Sequence, residues 1–464
     1  MIYRQIIRSF IDYGSFLLSP LSNQRSLRLD RVQFQTLRIA LGQMRSCPTN
    51  SLLIEAADAP LTVRRLYLAK KFFLNQYSSL SHPLIPKLIR LNNHCTNSPY
   101  WRNKELPLLV VAYRVFGIIP IYQSLLPPFF SFEFVSRYSK IPVFVDCGLD
   151  KNDTVYGSIF VNSTFNNYLD SILPNYTFIF TDASKLDADA RVGVAYHCSS
   201  SAHSASLSIS KFFSIFSAEC VAILEALSYV ESEGIKKAAI VSDSLSSLSL
   251  LKQNSISSKT PFLIVLIKNT VLKLIQNRFS VAFVWCPSHI GIRGNEFVDM
   301  LARDAVQNGA EDNSPPPAQD LWAVCRKSML NDWNQIWRNS TKGRKLYALQ
   351  PAPALQTWFH EWDVGRKNIT TIGRLRTGHN SLPAHLHKIN VVPDTNCRCG
   401  YPYCDINHVI FACPLFNQHR PMLLSSLARM GVFGPYFIPH LLSLNNYDIL
   451  STICSFLNKT QLPI

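Results

Sequence analysis

Hydrophobic and polar residues follow two different spacings in the central part of the chain. Apolar residues alternate with polar or small ones over 176–184, 190–198 and 204–211, which predicts three strands of an antiparallel meander. Residues 214–234 instead carry apolar positions at helical spacing and end at Gly234. This pattern is typical of a helix with glycine at its C-terminal end.

Two further apolar runs, 236–244 and 280–288, predict buried strands, and helical spacing follows each of them. These helices are expected at 244–253, 261–279 and 295–306. The resulting order, β-β-β-α-β-α-α-β-α, joins an antiparallel meander to parallel βαβ units. We therefore predict an α/β fold with a mixed five-stranded sheet flanked by helices.

The segments outside this region have a different character. Residues 27–75 read as helices, and the first of them places Leu29, Val32, Thr36 and Ile39 roughly on one face. A proline run at 315–317 is typical of a linker, and a Trp-rich helix follows it. The predicted segments are a helical region at 1–75, a connector at 76–173, the α/β domain at 174–310, a Pro-rich linker at 311–320 and a helical tail at 321–464.

Charge and cysteine usage narrow the function classes. The chain has 464 residues and a net charge of +16, with 18 Lys and Arg against 8 Asp and Glu in residues 1–150. Basic flanks suit a polyanionic partner such as a nucleic acid. Eight of the twelve cysteines are scattered and no signal peptide is recognisable, so we expect an intracellular protein, nuclear or cytoplasmic, rather than a disulfide-bonded secreted one. The apolar stretch 106–130 is interrupted by Arg114 and prolines, so we expect no membrane span.

Four acids and one histidine define the candidate chemistry. Asp182 and Asp243 end predicted strands, while Glu219 and Asp299 lie within predicted helices. Strand ends and adjacent helices can bring separated acids to one point, where their mutual repulsion favours bound cations. Two Mg²⁺ ions held this way can hydrolyse a phosphodiester. The alternative, in which each acid caps a helix or lies at the surface, fits any one of them alone better than all four together.

We expect different roles for these side chains. Asp182 would bridge both ions, Glu219 and Asp243 would hold mainly the ion on the leaving-group side, and Asp299 the ion on the nucleophile side. His289 lies on a loop ten residues before Asp299, and because imidazole can both accept and donate a proton, His289 could shuttle a proton or assist product release. An ordinary loop histidine is the other interpretation.

The sequences FTDAS, AECVAILEAL, SDS and WCPSHIGIRGNEFVDMLARDA closely resemble the type 1 ribonuclease H family in kind, order and spacing. The resemblance covers about residues 176–306. It implies cleavage of the RNA strand of an RNA–DNA hybrid with Mg²⁺ or Mn²⁺, metal binding by the four acids, and an auxiliary role for His289. Members of the family recognise RNA through 2′-OH contacts, for which Ser184, Ser244 and Asn295 are the candidates here.

The flanks resemble the C-terminal part of Jockey- and I-like non-LTR retrotransposon polyproteins. Residues 29–65 look like the helical thumb of their reverse transcriptases, and residues 373–389 like the end of the same polyproteins. No paired aspartates of a polymerase palm occur, so we expect no DNA synthesis. The domain lacks a long basic insertion, and hybrid binding is therefore expected to depend on the flanks. The sequence gives no sign of an obligate protein partner.

A cysteine cluster near the C-terminus is a candidate zinc site. Cys397, Cys399, His408 and Cys413 supply four soft ligands from two short loops, as tetrahedral zinc requires. Cys404 is a fifth candidate, and four buried free thiols are the alternative.

Three functional hypotheses follow. An active hybrid-specific ribonuclease is the first, and the complete set of four acids favours it. A catalytically inactive, nucleic-acid-binding retrotransposon relic is the second. A DNA transposase or integrase on the same fold is the third, and the spacing between His289 and Asp299 disfavours it.

Overall fold

The computed structural model describes residues 2–122, 141–149, 157–187, 189–254, 256, 260–462 and 464. Parts of the predicted connector, 123–140 and 150–156, lie outside the described residues, as does the C-terminal end of the apolar stretch 106–130. The chain forms two compact units. Unit 1 comprises 1–72, 88–115 and 325–464, and unit 2 comprises 73–87 and 116–324. Among the helices of the described part, none is long and apolar enough to cross a membrane.

Seven strands form one sheet in unit 2. They are β1 (Val143–Phe144), β2 (Thr177–Ser184), β3 (Val192–Cys198), β4 (Ser204–Ile209), β5 (Lys237–Ser242), β6 (Ser280–Trp285) and β7 (Ala310–Glu311).

The described α-helices are, in chain order, α1 (Arg8–Asp12), α2 (Asn23–Leu41), α3 (Thr49–Ala56), α4 (Leu61–Tyr77), α5 (Leu84–Asn97), α6 (Leu108–Phe116), α7 (Ser158–Ile172), α8 (Ile215–Ser232), α9 (Leu245–Lys252), α10 (Phe262–Gln276), α11 (Arg293–Asn308), α12 (Leu321–Arg338), α13 (Arg344–Leu349), α14 (Arg366–Thr377), α15 (Pro383–Lys388), α16 (Arg420–Arg429), α17 (Ile438–Ser443) and α18 (Tyr447–Thr460). Short segments of π- or 3₁₀-helix cover Tyr3–Ile7, Ser15–Leu18, Pro99–Trp101, His408–Ala412 and Pro414–His419.

The sheet confirms the mixed topology expected from the sequence. Its order is β1-β6-β5-β2-β3-β4-β7, with β2, β3 and β4 antiparallel and with β5 and β6 parallel to β2. The predicted count of five strands is corrected to seven, because the two-residue strands β1 and β7 extend the edges. Pairs this short leave no periodic signal in the sequence.

Helices cover both faces of the sheet. On one face α8, α9 and α10 enclose a core that includes Ile223, Ile240 and Ile267. On the other face α7 and α11 pack on Phe180 and Val241. Helix α11 approaches β3 so closely that a Cβ on Gly193 would lie 1.9 Å from the carbonyl oxygen of Ala302. Helix α7 belongs to the predicted connector, yet it forms part of this core.

Unit 1 draws its cores from both ends of the chain. Leu37, Leu52 and Leu53 pack with Trp333 and Trp337 of the Trp-rich helix α12. A second core holds α14 and α16–α18 together with the cysteine cluster. The predicted segments 1–75 and 321–464 therefore share one apolar interior.

A buried ion pair also joins these two segments of unit 1. Arg376 Nε donates to Glu55 Oε1 at 2.7 Å, and Trp358 Nε1 donates to Glu55 Oε2 at 2.8 Å. Such a pair needs hydrogen bonds on both partners, since removing either would leave a buried charge without compensation.

The buried face of α2 differs from the predicted one. Gln33, Leu37 and Leu41 are buried at i, i+4 and i+8, whereas Val32 and Ile39 are 43% and 69% exposed. The side-chain amide of Gln33 donates to Asp58 Oδ2 at 2.9 Å and to the carbonyl oxygen of Ala59 at 3.0 Å. These hydrogen bonds of the Gln33 amide nitrogen hold a polar residue inside the core and shift the inward face away from the most hydrophobic stripe.

Candidate active site

Two of the predicted acids lie side by side because their strands are neighbours. Strands β2 and β5 are parallel, with Thr181 opposite Ser242. Asp182 is the next residue of β2, and Asp243 follows the end of β5. Both carboxylates therefore emerge at the same point of the sheet, where the strand order changes direction.

Glu219 reaches this point from helix α8. Ser214 caps that helix by accepting from the backbone N–H of Ser217 at 3.2 Å. Glu219 lies in the second turn and is buried. Oxygens of Asp182, Glu219 and Asp243 lie within 4.8 Å of one another, so the structure brings these three predicted site residues together.

Burial and mutual repulsion set the protonation of this cluster. The pKa of Asp182 is raised to about 8, first by burial and then by the negative charges of Asp243 and Asp299. The pKa of Glu219 is raised well above its usual value by burial, and further by Asp182 and Asp243. Three ionised carboxylates this close are stable only with added positive charge.

The same cluster offers an uncompensated ligand atom. Glu219 Oε2 is buried and has no hydrogen-bond partner among the described residues. A buried carboxylate oxygen without a hydrogen-bond partner destabilises the fold, and a bound cation at this position would remove that cost. Carboxylate oxygens are the ligands that Mg²⁺ and Mn²⁺ prefer, and the donor set therefore fits the metal implied by the sequence.

Asp299 belongs to a second group at the start of α11. Its side chain is 13% exposed, its Oδ2 lies 2.8 Å from Arg303 Nη2, and His289 Nδ1 lies 3.8 Å from the same oxygen. Ligand atoms of His289, Glu296 and Asp299 lie within 4.8 Å of one another. The effect of Asp299 on the pKa of Asp182 links the two groups electrostatically.

Sequence reasoning missed Glu296. The available signal was its position three residues before Asp299, which places both on one face of a helix. Glu296 Oε1 also accepts from the backbone N–H of Gly291 at 3.3 Å. It thereby ties the loop that carries His289 to α11.

Two residues of the His289 loop have left-handed backbone conformations. His289 itself has φ +58°, and its side chain is 60% exposed. Gly291 has φ +98°, and a Cβ there would lie 2.6 Å from the Cβ of Ser158 in α7. Helix α7 therefore packs directly beside this loop, and only glycine fits at the contact.

Two further residues, which no sequence motif identifies, form hydrogen bonds at the N-terminal ends of the helices that carry Glu219 and Asp299. Asn162 of α7 accepts from the backbone N–H of Arg293 at 3.0 Å and so caps α11, whose own N-cap Ile292 has no side-chain acceptor. Asp320 accepts from the backbone N–H and hydroxyl of Ser214 at 3.0 and 2.8 Å, and from Ser217 Oγ at 3.0 Å. Asp320 closes the segment predicted as a linker, whose residues Pro316 to Ala318 are buried in unit 2.

The predicted nucleic-acid contacts lie in unequal environments. Ser184 is half-buried at the end of β2, and Ser244 Oγ lies 2.9 Å from Ser247 Oγ after β5. Asn295 is only 1% exposed, and its Oδ1 accepts from Cys286 Sγ at 3.2 Å. That contact joins α11 to the end of β6, so the Asn295 side chain is directed into the protein and does not support the predicted role.

The candidate zinc ligands come together in unit 1. Ligand atoms of Cys397, Cys399, His408 and Cys413 lie within 4.8 Å of one another. The Cys397 and Cys413 sulfurs are 3.8 Å apart, and Cys399 Sγ lies 3.2 Å from His408 Nε2. Although burial opposes it, hydrogen bonds from the Cys399 backbone and from neighbouring thiols lower the pKa of Cys397. Cys404 is buried beside them, outside this tetrad.

Comparisons with known proteins show which family the central residues of the chain resemble. Residues 174–307 match the family described as RNase H. The chain is 30% identical over 104 residues to the 115 kDa protein in type-1 retrotransposable element R1DM of Drosophila melanogaster. It is also 30% identical over 94 residues to the retrovirus-related Pol polyprotein from type-1 retrotransposable element R1 of Bradysia coprophila.

These two matches cover 22% and 20% of the chain and only 10% and 9% of the two relatives. The chain thus shares a short segment with much longer retrotransposon proteins. Strands β2 to β6 and the four acids lie within the residues that match this family. Residues 174–307 are therefore a ribonuclease H domain, in a chain similar to proteins of type-1 non-LTR retrotransposable elements.

Proposed function

We propose that this domain hydrolyses the RNA strand of RNA–DNA hybrids with two divalent cations, Mg²⁺ or Mn²⁺. The observation that carries the proposal is the convergence of Asp182, Glu219 and Asp243, in which burial and neighbouring charges raise the pKa values of Asp182 and Glu219 and one buried Glu219 oxygen lacks a hydrogen-bond partner among the described residues. A purely structural acid cluster would gain nothing from this arrangement, because each carboxylate raises the cost of ionising the others.

The residues divide the work as follows. Asp182 would serve as a ligand of both ions, Glu219 and Asp243 would hold mainly the ion on the leaving-group side, and Asp299 would hold the ion on the nucleophile side. When bound, the cations would activate water and stabilise the leaving oxygen. Asp299 is paired with Arg303 and lies near His289. The exposed imidazole of His289 is free to turn towards the substrate and transfer a proton.

Two features would contribute to recognition of the hybrid: serine hydroxyls at the ends of strands β2 and β5, and the distribution of positive charge between the two units. Ser184 and Ser244 border the acids and offer hydroxyls for contacts with the 2′-OH of the RNA strand. Unit 2 itself carries 16 Lys and Arg against 19 Asp and Glu, a net of −3. Attraction of the polyanionic substrate therefore has to come from unit 1.

A direct test uses a hybrid whose RNA strand is labelled at its 5′ end. The full-length protein should cut it only with Mg²⁺ or Mn²⁺, and Asp182→Asn should abolish cutting. Asp189→Asn is the matched control, because that side chain is 86% exposed. If the wild-type protein leaves the hybrid intact while still binding it, the inactive relic is correct. Cleavage of duplex DNA with hybrids spared would support the transposase or integrase hypothesis.

We also propose that the Cys397, Cys399, His408 and Cys413 tetrad binds one zinc ion. In a regular tetrahedron with Zn–S bonds of about 2.3 Å, ligand sulfurs lie about 3.8 Å apart. The separation of Cys397 and Cys413 has this value, and it excludes a disulfide between them. Cys404 lies beside Cys397 as a neighbouring thiol rather than as a fourth sulfur of the tetrad.

The metal content of the purified protein tests this site. We expect about one zinc per chain. Cys413→Ser should lose it, and Cys454→Ser should keep it, because Cys454 is buried in the same core outside the tetrad. Equal zinc content in the two variants would show that the tetrad is four free thiols.

A further inference from the structure

The positive charge of the protein is concentrated in the unit that lacks the acid cluster. Unit 1 has 30 Lys and Arg against 11 Asp and Glu, a net of +19, whereas unit 2 has −3. A surplus of this size attracts nucleic acid without distinguishing one sequence or structure from another. A preference of unit 1 for one form of nucleic acid therefore needs a more local feature of that unit.

The loop of the cysteine cluster supplies such a feature. Tyr401 and Tyr403 are 51% and 53% exposed, although both carry large apolar rings. They line a cavity of about 730 Å³ together with Pro402, Asn407 and Pro414. This volume lies in the range of about 300 to 1,000 Å³ that is typical of ligand sites.

Backbone contacts hold this loop in place. The N–H of Cys397 donates to the carbonyl of Tyr401 at 2.8 Å, and the N–H of Cys404 donates to that of Thr395 at 2.7 Å. The ring of Tyr401 stacks on His408 with centroids 4.3 Å apart and planes only 7° from parallel. The loop backbone and the ring of Tyr401 are therefore preorganised, which lowers the entropy lost when a ligand binds.

We propose that Tyr401 and Tyr403 form a stacking site for unpaired bases of a single-stranded nucleic acid. Aromatic rings bind bases of any sequence, because every base presents a flat face. In a duplex those faces are already stacked, so the site would select single strands, such as an overhang beside a hybrid. Arg398, in the same loop, can contact phosphates. Among the described residues that line the cavity, Asp405 is the one carboxylate, and it already accepts from the N–H of His408 at 2.8 Å.

The proposal rests on a role of the chain in nucleic-acid chemistry, but its test measures binding rather than hydrolysis. Fluorescence anisotropy with labelled oligouridine and oligodeoxythymidine should compare wild type, Tyr403→Ala and Tyr403→Trp in the full chain. Tyr403 is the better target because Tyr401 touches a candidate metal ligand. Phe433→Ala is the matched control, since Phe433 is a 72% exposed aromatic residue of the same unit.

Removal of one stacked aromatic residue typically weakens binding by about fivefold or more. We expect Tyr403→Ala to lose at least this much affinity for both oligonucleotides, while Tyr403→Trp and Phe433→Ala retain it. A blunt RNA–DNA hybrid should bind Tyr403→Ala as it binds the wild type. Arg398→Ala should reduce the salt dependence of binding, whereas Tyr403→Ala should leave that slope unchanged.

Three outcomes would overturn the proposal. Tyr403→Ala could bind single strands as tightly as the wild type, or it could lose equal affinity for single strands and for the blunt hybrid. An acidic peptide could also compete as well as oligouridine, which would indicate a protein partner. Absence of hybrid cleavage by the wild type would refute the ribonuclease function alone. Zinc analysis of Tyr403→Ala, which should match the wild type, separates loss of stacking from loss of the fold.

Discussion

Replacing Asp182 by asparagine should stabilise unit 2 when divalent cations are absent, although it should abolish hydrolysis. The buried Asp182 carboxyl has its pKa raised to about 8 from an ordinary value of 3.8. Between these two values the unfolded chain releases the proton while the folded protein retains it. Stability therefore falls as the pH rises from about 4 to about 8, and it levels off above pH 8.

The size of the effect follows from the pKa difference. Each pKa unit corresponds to about 1.4 kcal/mol of folding free energy. Since pH 7 lies about three units above the ordinary pKa of an aspartate, burying this carboxyl costs the native state about 4 kcal/mol of stability at that pH. Asparagine cannot ionise and avoids this loss, but it also changes the contact between Asp182 and Glu219. For a unit of about 200 residues, each kcal/mol shifts Tm by about 2–4 °C. We expect Asp182→Asn to raise Tm at pH 7.5 by at least about 3 °C.

Thermal unfolding between pH 4.5 and 8.5 tests this, in Mg²⁺-free buffer without a chelator so that zinc is retained. Hydrogen exchange of peptides from β2 and β5 assigns the change to unit 2. The difference between Asp182→Asn and wild type should be smallest at pH 4.5 and should grow with pH. Asp189→Asn should behave like the wild type. Saturating Mg²⁺ should stabilise the wild type more than the variant.

The electrostatic argument fails if Asp182→Asn is no more stable than the wild type at pH 7.5, or if its advantage does not change with pH. Either result would mean that the carboxylates do not crowd one another in the folded protein. The assignment of Asp182 as a metal ligand would then lose its physical basis.

Three further predictions concern the supports of the site. Asp320→Ala removes three hydrogen bonds at the start of α8, so the free energy of unfolding of unit 2 should fall by about 2 kcal/mol and half-maximal activity should require more Mg²⁺. Asp312→Ala is the control, and an unchanged Mg²⁺ requirement in Asp320→Ala would contradict the role of Asp320 at the start of α8. His289→Ala should reduce turnover only partly, without a change in Mg²⁺ dependence, and complete loss of activity would indicate an essential role instead. Gly193→Ala should destabilise unit 2 by more than about 3 kcal/mol, because the added Cβ would lie 1.9 Å from the Ala302 carbonyl oxygen. Urea titration measures this loss, and a variant as stable as the wild type would refute the close packing of α11 on β3.

Much of unit 2 could be predicted from local spacing. Strands β2 to β6 and helices α8 to α11 fall within a few residues of the segments that alternation and helical periodicity indicated. These patterns reflect which side chains face the core, and they extend over enough residues to be recognised. The acids were identified in the same way, because strand ends and helix positions define where a side chain points.

Features that depend on distant partners could not be predicted. Asn162 caps a helix that begins 131 residues away, Asp320 binds an N-cap serine 106 residues away, and neither residue belongs to a local motif. The inward face of α2 is set by Gln33, whose partners Asp58 and Ala59 lie on another segment. Likewise, the predicted segments 1–75 and 321–464 share a core in unit 1 because Leu37 and Leu52 pack with Trp333.

The sequence by itself therefore determined the kinds of elements, their order in the central domain and the acids that meet there. Periodicity and motif spacing are local, and each depends on a few neighbouring residues. The tertiary structure alone decided which helix faces are buried, which polar groups cap the site-bearing helices, and how far the tyrosines of the cysteine loop are exposed. Those outcomes depend on contacts between residues far apart in the chain. Such contacts contribute free energy only when the segments pack together, so no local pattern in the sequence reports them.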